Sequence, residues 1–294
     1  GASINCINFK PNLIDTDEDG IYDIWEENGI DIDGDGSPEL VWEDLGTDFN
    51  DNPITPDPER KDILVEVDYF DCSVEDGDCD GSNHTHKPKA IALEKIVQSF
   101  NDSPVVNPNG NTGVNLWVLI DQELPHKNAC TFSDDCFDEI KADNFGFPGD
   151  SDAEKEAKRQ VFRYNLWVHD KEEGNSSGGK AERGGNDFIN SLGSWIAQEG
   201  TTDDQASSFM HELGHSLNLG HGGTDNINCK PNYFSVMNYM WGVQGLDPFG
   251  TYDYSRKKLP TLHESNLIEP LGVQSTFPKT YFGPPTNIDG VETG

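Results

Sequence analysis

The chain has 294 residues, enough for one large core or two modest ones, with 34% hydrophobic residues and a mean hydropathy of -0.66, so a compact core beneath extensive loops is expected. A net charge of -34, from 54 acidic against 20 basic residues, repels phosphate backbones and anionic lipid, which excludes nucleic acid and membrane surfaces as expected partners. No apolar run approaches the roughly 20 residues of a membrane span, and without a charged-then-apolar leader at Gly1 the chain is read as a processed product.

Residues 1–58 are rich in Asp, Gly, Pro and Asn, a composition of loops organised by ligands rather than by a core. Within them, DTDEDGIYDIWE places Asp15, Asp17, Asp19, Asp23 and Glu26 at positions 1, 3, 5, 9 and 12, with Gly20 at position 6. Alternate carboxylates converging on one hard cation, a Gly at the sharp bend and a terminal bidentate Glu make an EF-hand-like calcium loop. Asp31, Asp33 and Asp35, in DIDGDG, form a second and shorter match, and DGDCDG at 76–81 a third.

Six cysteines include two pairs close in sequence, Cys72 with Cys79 and Cys130 with Cys136, leaving Cys6 and Cys229 for a long-range bridge. Short loops flanked by Cys, with no CxxC, point to disulfides and hence to an oxidising, extracellular compartment, although six cysteines formally allow fifteen pairings.

From Lys61 the character changes. ILVEVDYF at 63–70 predicts a buried strand, Lys87 to Phe100 a helix, and Val114 to Ile120 a second strand, so an α/β sheet with a crossover begins here. A loop with its own Cys pair is expected from Asp121 to Gly149, then a short charged helix over 153–160 and a strand over 161–169. KEEGNSSGGKAERGG, 171–185, reads as a mobile insert, and Asn186 to Trp195 as a further strand. His84 and His86 are read as exposed loop histidines, with a minor metal site as the alternative.

Thr201 to Leu219 is predicted as a helix capped by Thr202 or Asp203, with Ala206, Phe209, Met210, Leu213 and Leu217 on its apolar side. It carries MHELGHSLNLGHGG, 210–223. His211 and His215, four apart, project from one face at a separation that a tetrahedral zinc ion bridges, and Glu212 lies beside them. His221 completes the set if the helix stops after Leu217 and the chain turns sharply at Asn218 and Gly220, residues that tolerate a left-handed backbone. After about Gly242 the chain is rich in Gly and Pro and expected to be irregular.

This segment resembles the zinc signature of the metzincin metalloproteases, HExxHxxGxxH, matching at His211, Glu212, His215 and His221 and departing at Asn218, where the family has Gly. SVMNYM at 235–240 resembles the metzincin Met-turn of the astacin and serralysin branches, with Met237 as a hydrophobic base beneath the metal and Tyr239 as the tyrosine that helps to stabilise the reaction intermediate. The Asp15–Glu26 loop is similar to the short, thrombospondin-type-3-like calcium repeats of extracellular proteins.

The resemblance implies an α/β (α+β) fold with a twisted mixed sheet, a zinc-binding active-site helix and an irregular C-terminal subdomain. It divides the chain into an acidic segment (1–58) and a catalytic domain (59–294) with an upper part to about residue 221 and a lower part over 222–294. It further implies a secreted, monomeric endopeptidase acting on protein or peptide, with Zn²⁺ and Ca²⁺ as cofactors and Glu212 as general base to a zinc-activated water. The strand before the zinc helix, taken as Asn186 to Trp195, is expected to pair with extended substrate. Two other readings are a calcium-dependent adhesion module with a degenerate site and a metallohydrolase acting on other bonds.

Overall fold

The computed structural model describes residues 13–256 and 259, apart from residues 76, 80–82, 134, 243–244 and 247–250. Cys6, half of DGDCDG and most of the region expected to be irregular after Gly242 therefore lie outside the described residues.

Among the described residues, ten α and β elements follow one another. They are α1 (Asp23–Asn28), β1 (Asp62–Asp71), α2 (Ala90–Asn101), β2 (Asn115–Pro125), α3 (Cys136–Asn144), α4 (Asp152–Val161), β3 (Phe162–Val168), β4 (Gly179–Ala181), β5 (Asp187–Ser191) and α5 (Thr202–Ser216). The strands form one mixed sheet in the order β2-β1-β3-β5-β4. Its first four members are parallel and β4 joins β5 antiparallel. The fold is thus α/β, as the strand, helix, strand pattern implied.

Side chains alternate across a strand, and β1 is buried on both faces. Leu64 and Phe70 join one apolar cluster, while Val65, Val67 and Tyr69 join another. The second cluster is closed by α2, through Leu93, Ile96 and Phe100, and by α5, through Ala206, Phe209, Met210 and Leu213. The first is closed by α3 and α4 and by Ile21, Ile30, Leu40, Trp42, Leu45 and Ile54 of the acidic segment. The expectation that metal takes the place of hydrophobic burial in that segment is therefore corrected. Its apolar residues are widely spaced in sequence, so no run betrays them, yet the loops bring them together against the sheet.

Three local departures have simple causes. The loop over 121–149 holds a helix, α3, of nine residues, which begins at Cys136 of a formed Cys130–Cys136 disulfide. The insert over 171–185 contains β4, which takes up the free edge of β5. Helix α5 is capped one residue before the expected positions: Thr201 Oγ1 accepts from Asp204 N (3.1 Å) and Asp204 Oδ2 from Thr201 N (2.8 Å). This reciprocal box requires an acceptor three residues on from the cap, which Asp204 supplies. The Cys72–Cys79 bridge is formed, and Cys229 is exposed and unpaired among the described residues. No helix among these residues is long and apolar enough to cross a membrane.

Phe209 fixes α5 on the sheet. Fully buried, it meets Phe188 of β5 edge to face, with centroids 5.3 Å apart, and stacks on Trp167 of β3 at 6.4 Å. Phe209→Ala is expected to cost about 3–5 kcal/mol, because the lost burial is compounded by a cavity between two strands and a helix. Urea unfolding followed by tryptophan fluorescence measures this as a lowered midpoint at unchanged slope.

Candidate functional site

Helix α5 brings His211 and His215 to one face, and their Nε2 atoms lie 3.1 Å apart. The helix ends at Ser216 with Leu217 as its cap, and Asn218 adopts φ 70°, the left-handed turn expected of it. Asn218 N then donates to His215 O (2.8 Å) and Leu219 N to Gly214 O (2.9 Å), the paired bonds of a Schellman stop. Turned back in this way, the chain sets His221 Nε2 3.2 Å from His215 Nε2. Arg183 holds the return loop from outside by donating to Asn218 O, Thr224 O and Asn226 Oδ1.

The other ring nitrogens explain why the three Nε2 atoms face one another. His211 Nδ1 lies 2.8 Å from Val236 O and His215 Nδ1 2.7 Å from Leu219 O. A carbonyl only accepts, so each Nδ1 carries the proton and each Nε2 presents its lone pair, the tautomer a metal requires. Burial lowers the pKa of all three imidazoles, that of His211 to about 4, which keeps them neutral. Three convergent neutral imidazoles with one side open fit a zinc ion.

Met237 is fully buried beneath this centre. A Cβ added to Gly214, which directly precedes His215, would stand 2.4 Å from Met237 Sδ and 2.7 Å from the Tyr254 ring. Glycine at that position lets the Met-turn approach the helix. Tyr254, which the sequence reading missed, donates from its hydroxyl to Met210 O at 2.6 Å.

Glu212 and Tyr239 border the open side. Glu212 is buried, and loss of solvent pushes its carboxyl up to about 8, with Lys171 pulling the other way. Tyr239 is 63% exposed, with its ring centroid 4.6 Å from that of His221 and 5.6 Å from that of His211. Glu212, Tyr239 and the three histidines line a cleft of about 620 Å³, whose opposite wall runs from Asn175 to Ala181 with Lys171 and Trp195.

The rim of this cleft corrects the expectation for Asn186 to Trp195. Strand β5 lies inside the sheet between β3 and β4, so its backbone groups are already paired, and the exposed edge belongs to β4. Gly179 of β4 passes so close over the helix that a Cβ there would stand 2.6 Å from Glu212 Cγ. The glycine-rich composition that suggested mobility instead permits this approach.

A second group of donors gathers in the acidic segment. Asp15, Asp17 and Asp19 converge, and Asp19 also meets Glu26 and Asp62. Asp17 and Glu26 are buried, and Asp17 Oδ2 and both Glu26 oxygens have no hydrogen-bond partner among the described residues. Such atoms fit a hard cation that accepts carboxylate oxygens. Asp23 is engaged elsewhere: its oxygens accept from Thr16 N (2.7 Å) and Thr16 Oγ1 (2.6 Å). Asp62, unforeseen because it opens β1 rather than belonging to the loop, accepts from Trp117 Nε1 and Asp57 N. In the second loop Asp31 accepts from Gly34 N and Gly36 N, Asp33 from Asp35 N and Asp35 from Ser37 N, so these carboxylates bind their own turn.

His84 and His86 are not exposed: His86 is 2% exposed and His84 is half-buried.

No family model and no curated protein matches this sequence. Among solved structures, a zinc-dependent peptidase from Methanocorpusculum labreanum (strain Z) is similar at a TM-score of 0.34 and 13% identity, over 64% of this chain and 93% of that one. A likeness at that level carries no assignment of family.

Burial and mutual repulsion raise Glu26 to about 9 and Asp17 to about 7, and burial raises Asp62 to about 7. Their folded-state values exceed the unfolded values of about 4, so without a cation their contribution is full below about pH 4 and is lost as pH rises through 7 and then 9. In chelator, stability measured by urea unfolding is therefore expected to fall between about pH 5 and pH 9. A cation bound to the ionised carboxylates removes that fall.

Proposed function

We propose that this chain is a secreted, zinc-dependent endopeptidase of the metzincin type, stabilised by calcium at the acidic segment and acting as a monomer on extended protein or peptide. The observation that carries the reading is the convergence of His211, His215 and His221 Nε2 beside the buried Glu212 carboxyl, in a cleft walled by a sheet edge. An adhesion module has no use for a carboxyl buried next to three oriented imidazoles. The cleft also argues for a peptide over other hydrolysable bonds, since the β4 edge offers backbone groups to an extended chain.

His211, His215 and His221 would hold zinc, which when bound supplies Lewis acidity and an activated water. Glu212 then acts as general base, taking the proton of the attacking water on a carboxylate oxygen and delivering it to the leaving amine nitrogen. Its raised pKa makes it an effective acceptor, and a positive charge beside it favours the ionised form. Tyr239, on the His221 side, donates its phenol proton in a hydrogen bond to the oxygen of the attacked carbonyl as negative charge develops there. Trp195 and the β4 backbone orient the substrate and narrow the access of water.

Asp15, Asp17, Asp19, Glu26 and Asp62 would hold calcium, which neutralises a carboxylate group packed against the sheet. The second loop, Asp31 to Asp35, offers a further and more exposed calcium position. The two disulfides support an oxidising compartment and hence secretion.

Hydrolysis of unfolded casein in calcium buffer tests the reading. Glu212→Ala is expected to lower kcat/KM by at least about 10³-fold, and Tyr239→Phe to lower kcat by about 10²-fold with KM little changed. Activity removed by chelation should return with zinc. Glu212→Ala turning over as fast as the unmodified protein would refute the assignment.

A further inference from the structure

Seven of the eight histidines in the chain lie in two clusters, three at the centre just described and four elsewhere. The second cluster comprises His84, His86, His126 and His169, which are separated by up to 85 positions in sequence. The sheet unites them. Strands β2, β1 and β3 are parallel neighbours, so their C-terminal ends share one edge. His126 directly follows β2, His169 directly follows β3, and His84 and His86 lie on the loop that leaves β1 and returns to it, where His86 N donates to Phe70 O.

Their ring nitrogens meet at a point. His84 Nε2 lies 3.0 Å from His126 Nε2 and 3.1 Å from His169 Nδ1, and His86 Nε2 lies 3.2 Å from His126 Nε2. His169 Nδ1 lies 3.3 Å from both His86 Nε2 and His126 Nε2. A regular tetrahedron with such edges has its centre about 2 Å from every vertex, close to a zinc–imidazole bond of about 2.0–2.1 Å. The catalytic histidines show the same spacing with a vertex missing, whereas here all four vertices are filled.

Hydrogen bonding between rings does not explain this packing, because one N–H lies along a single edge, while a cation at the centre meets every lone pair. The outer surroundings are built for the same purpose. His126 Nδ1 lies 2.8 Å from Asp78 O, so it carries the proton there and frees Nε2 to ligate. Asp78 belongs to the loop closed by the Cys72–Cys79 disulfide, and its N donates to His126 O at 2.7 Å. A Cβ on Gly193 would stand 2.4 Å from the His169 ring, so this glycine gives His169 room to turn inward.

We propose that His84, His86, His126 and His169 form a second, closed zinc site that cross-links the C-terminal ends of β2, β1 and β3. Imidazole donors suit zinc and related first-row ions and not calcium. With four protein ligands there is no position for a substrate, so the site is structural. It stands independently of the peptidase reading, because none of its ligands lines the cleft. Its neighbours do: Gly193 N donates to His169 O, and Lys171 and Trp195 reach the cleft wall within two residues of these contacts. Zinc here would brace that wall.

Zinc content of the full chain, measured by plasma mass spectrometry after dialysis in calcium buffer, tests the proposal. The unmodified protein is expected to retain two zinc ions per chain, and His211→Ala/His221→Ala, which leaves the cluster intact, one. His126→Ala/His169→Ala should also retain one. If that variant fails to fold, the first double variant alone decides. In it, zinc-edge X-ray absorption should show four nitrogen donors at about 2.0–2.1 Å and no water oxygen. A folded His211→Ala/His221→Ala protein that holds no zinc, or holds it through oxygen donors, would overturn the proposal, as would a cluster variant that still holds two.

Discussion

An imidazole can offer Nε2 to a metal only when its Nδ1 proton has somewhere to go, and at His211 and His215 that acceptor is a backbone carbonyl. One belongs to Val236 of the Met-turn and the other to Leu219 just past the helix. The centre therefore depends on two pieces of backbone being held against α5. The first approaches because residue 214 is glycine and leaves space for Met237 and Tyr254. The second is in place because the chain turns left-handed at Asn218. Each piece also serves the wider site: the Met-turn carries Tyr239, and the turn at Asn218 leads to His221.

The sheet supplies the remaining framework. Phe209 locks α5 to β3 and β5, so the face that carries His211 and His215 is referred to the same strands that position β4 on the far side of the cleft. The parallel arrangement of β2, β1 and β3 gathers three strand ends at one edge, and the four-histidine cluster stands there. Convergent imidazole sets thus occur in two forms in one chain. One has three members and faces a cleft; the other has four and stands at the ends of the strands.

Charge imposes a further constraint. The acidic segment buries Asp17 and Glu26 against the apolar cluster beneath the sheet, with carboxylate oxygens that find no hydrogen-bond partner among the described residues. Burying such groups is unfavourable unless a proton or a cation accompanies them. The segment is therefore part of the core, and its buried carboxyls tie its stability to their protonation.

The sequence by itself determined what depends on local spacing. The HExxH pair, the turn at Asn218, the return of His221, the Met-turn and the alternate aspartates of the first loop all involve residues within a turn or two of one another, and helix and turn geometry fixed their relation. Strand β1 and helices α2 and α5 were legible for the same reason, because burial imposes a period on them. Tertiary structure decided everything that needed strand order. That β5 is interior and β4 is the edge follows from the pairing of an insert whose glycines read as flexibility, and Asp62 joins the acidic loop only because β1 begins beside it. His126 and His169 meet His84 and His86 solely because three parallel strands end together. No local pattern encodes that convergence, since the residues concerned are tens of positions apart and are joined only by the sheet.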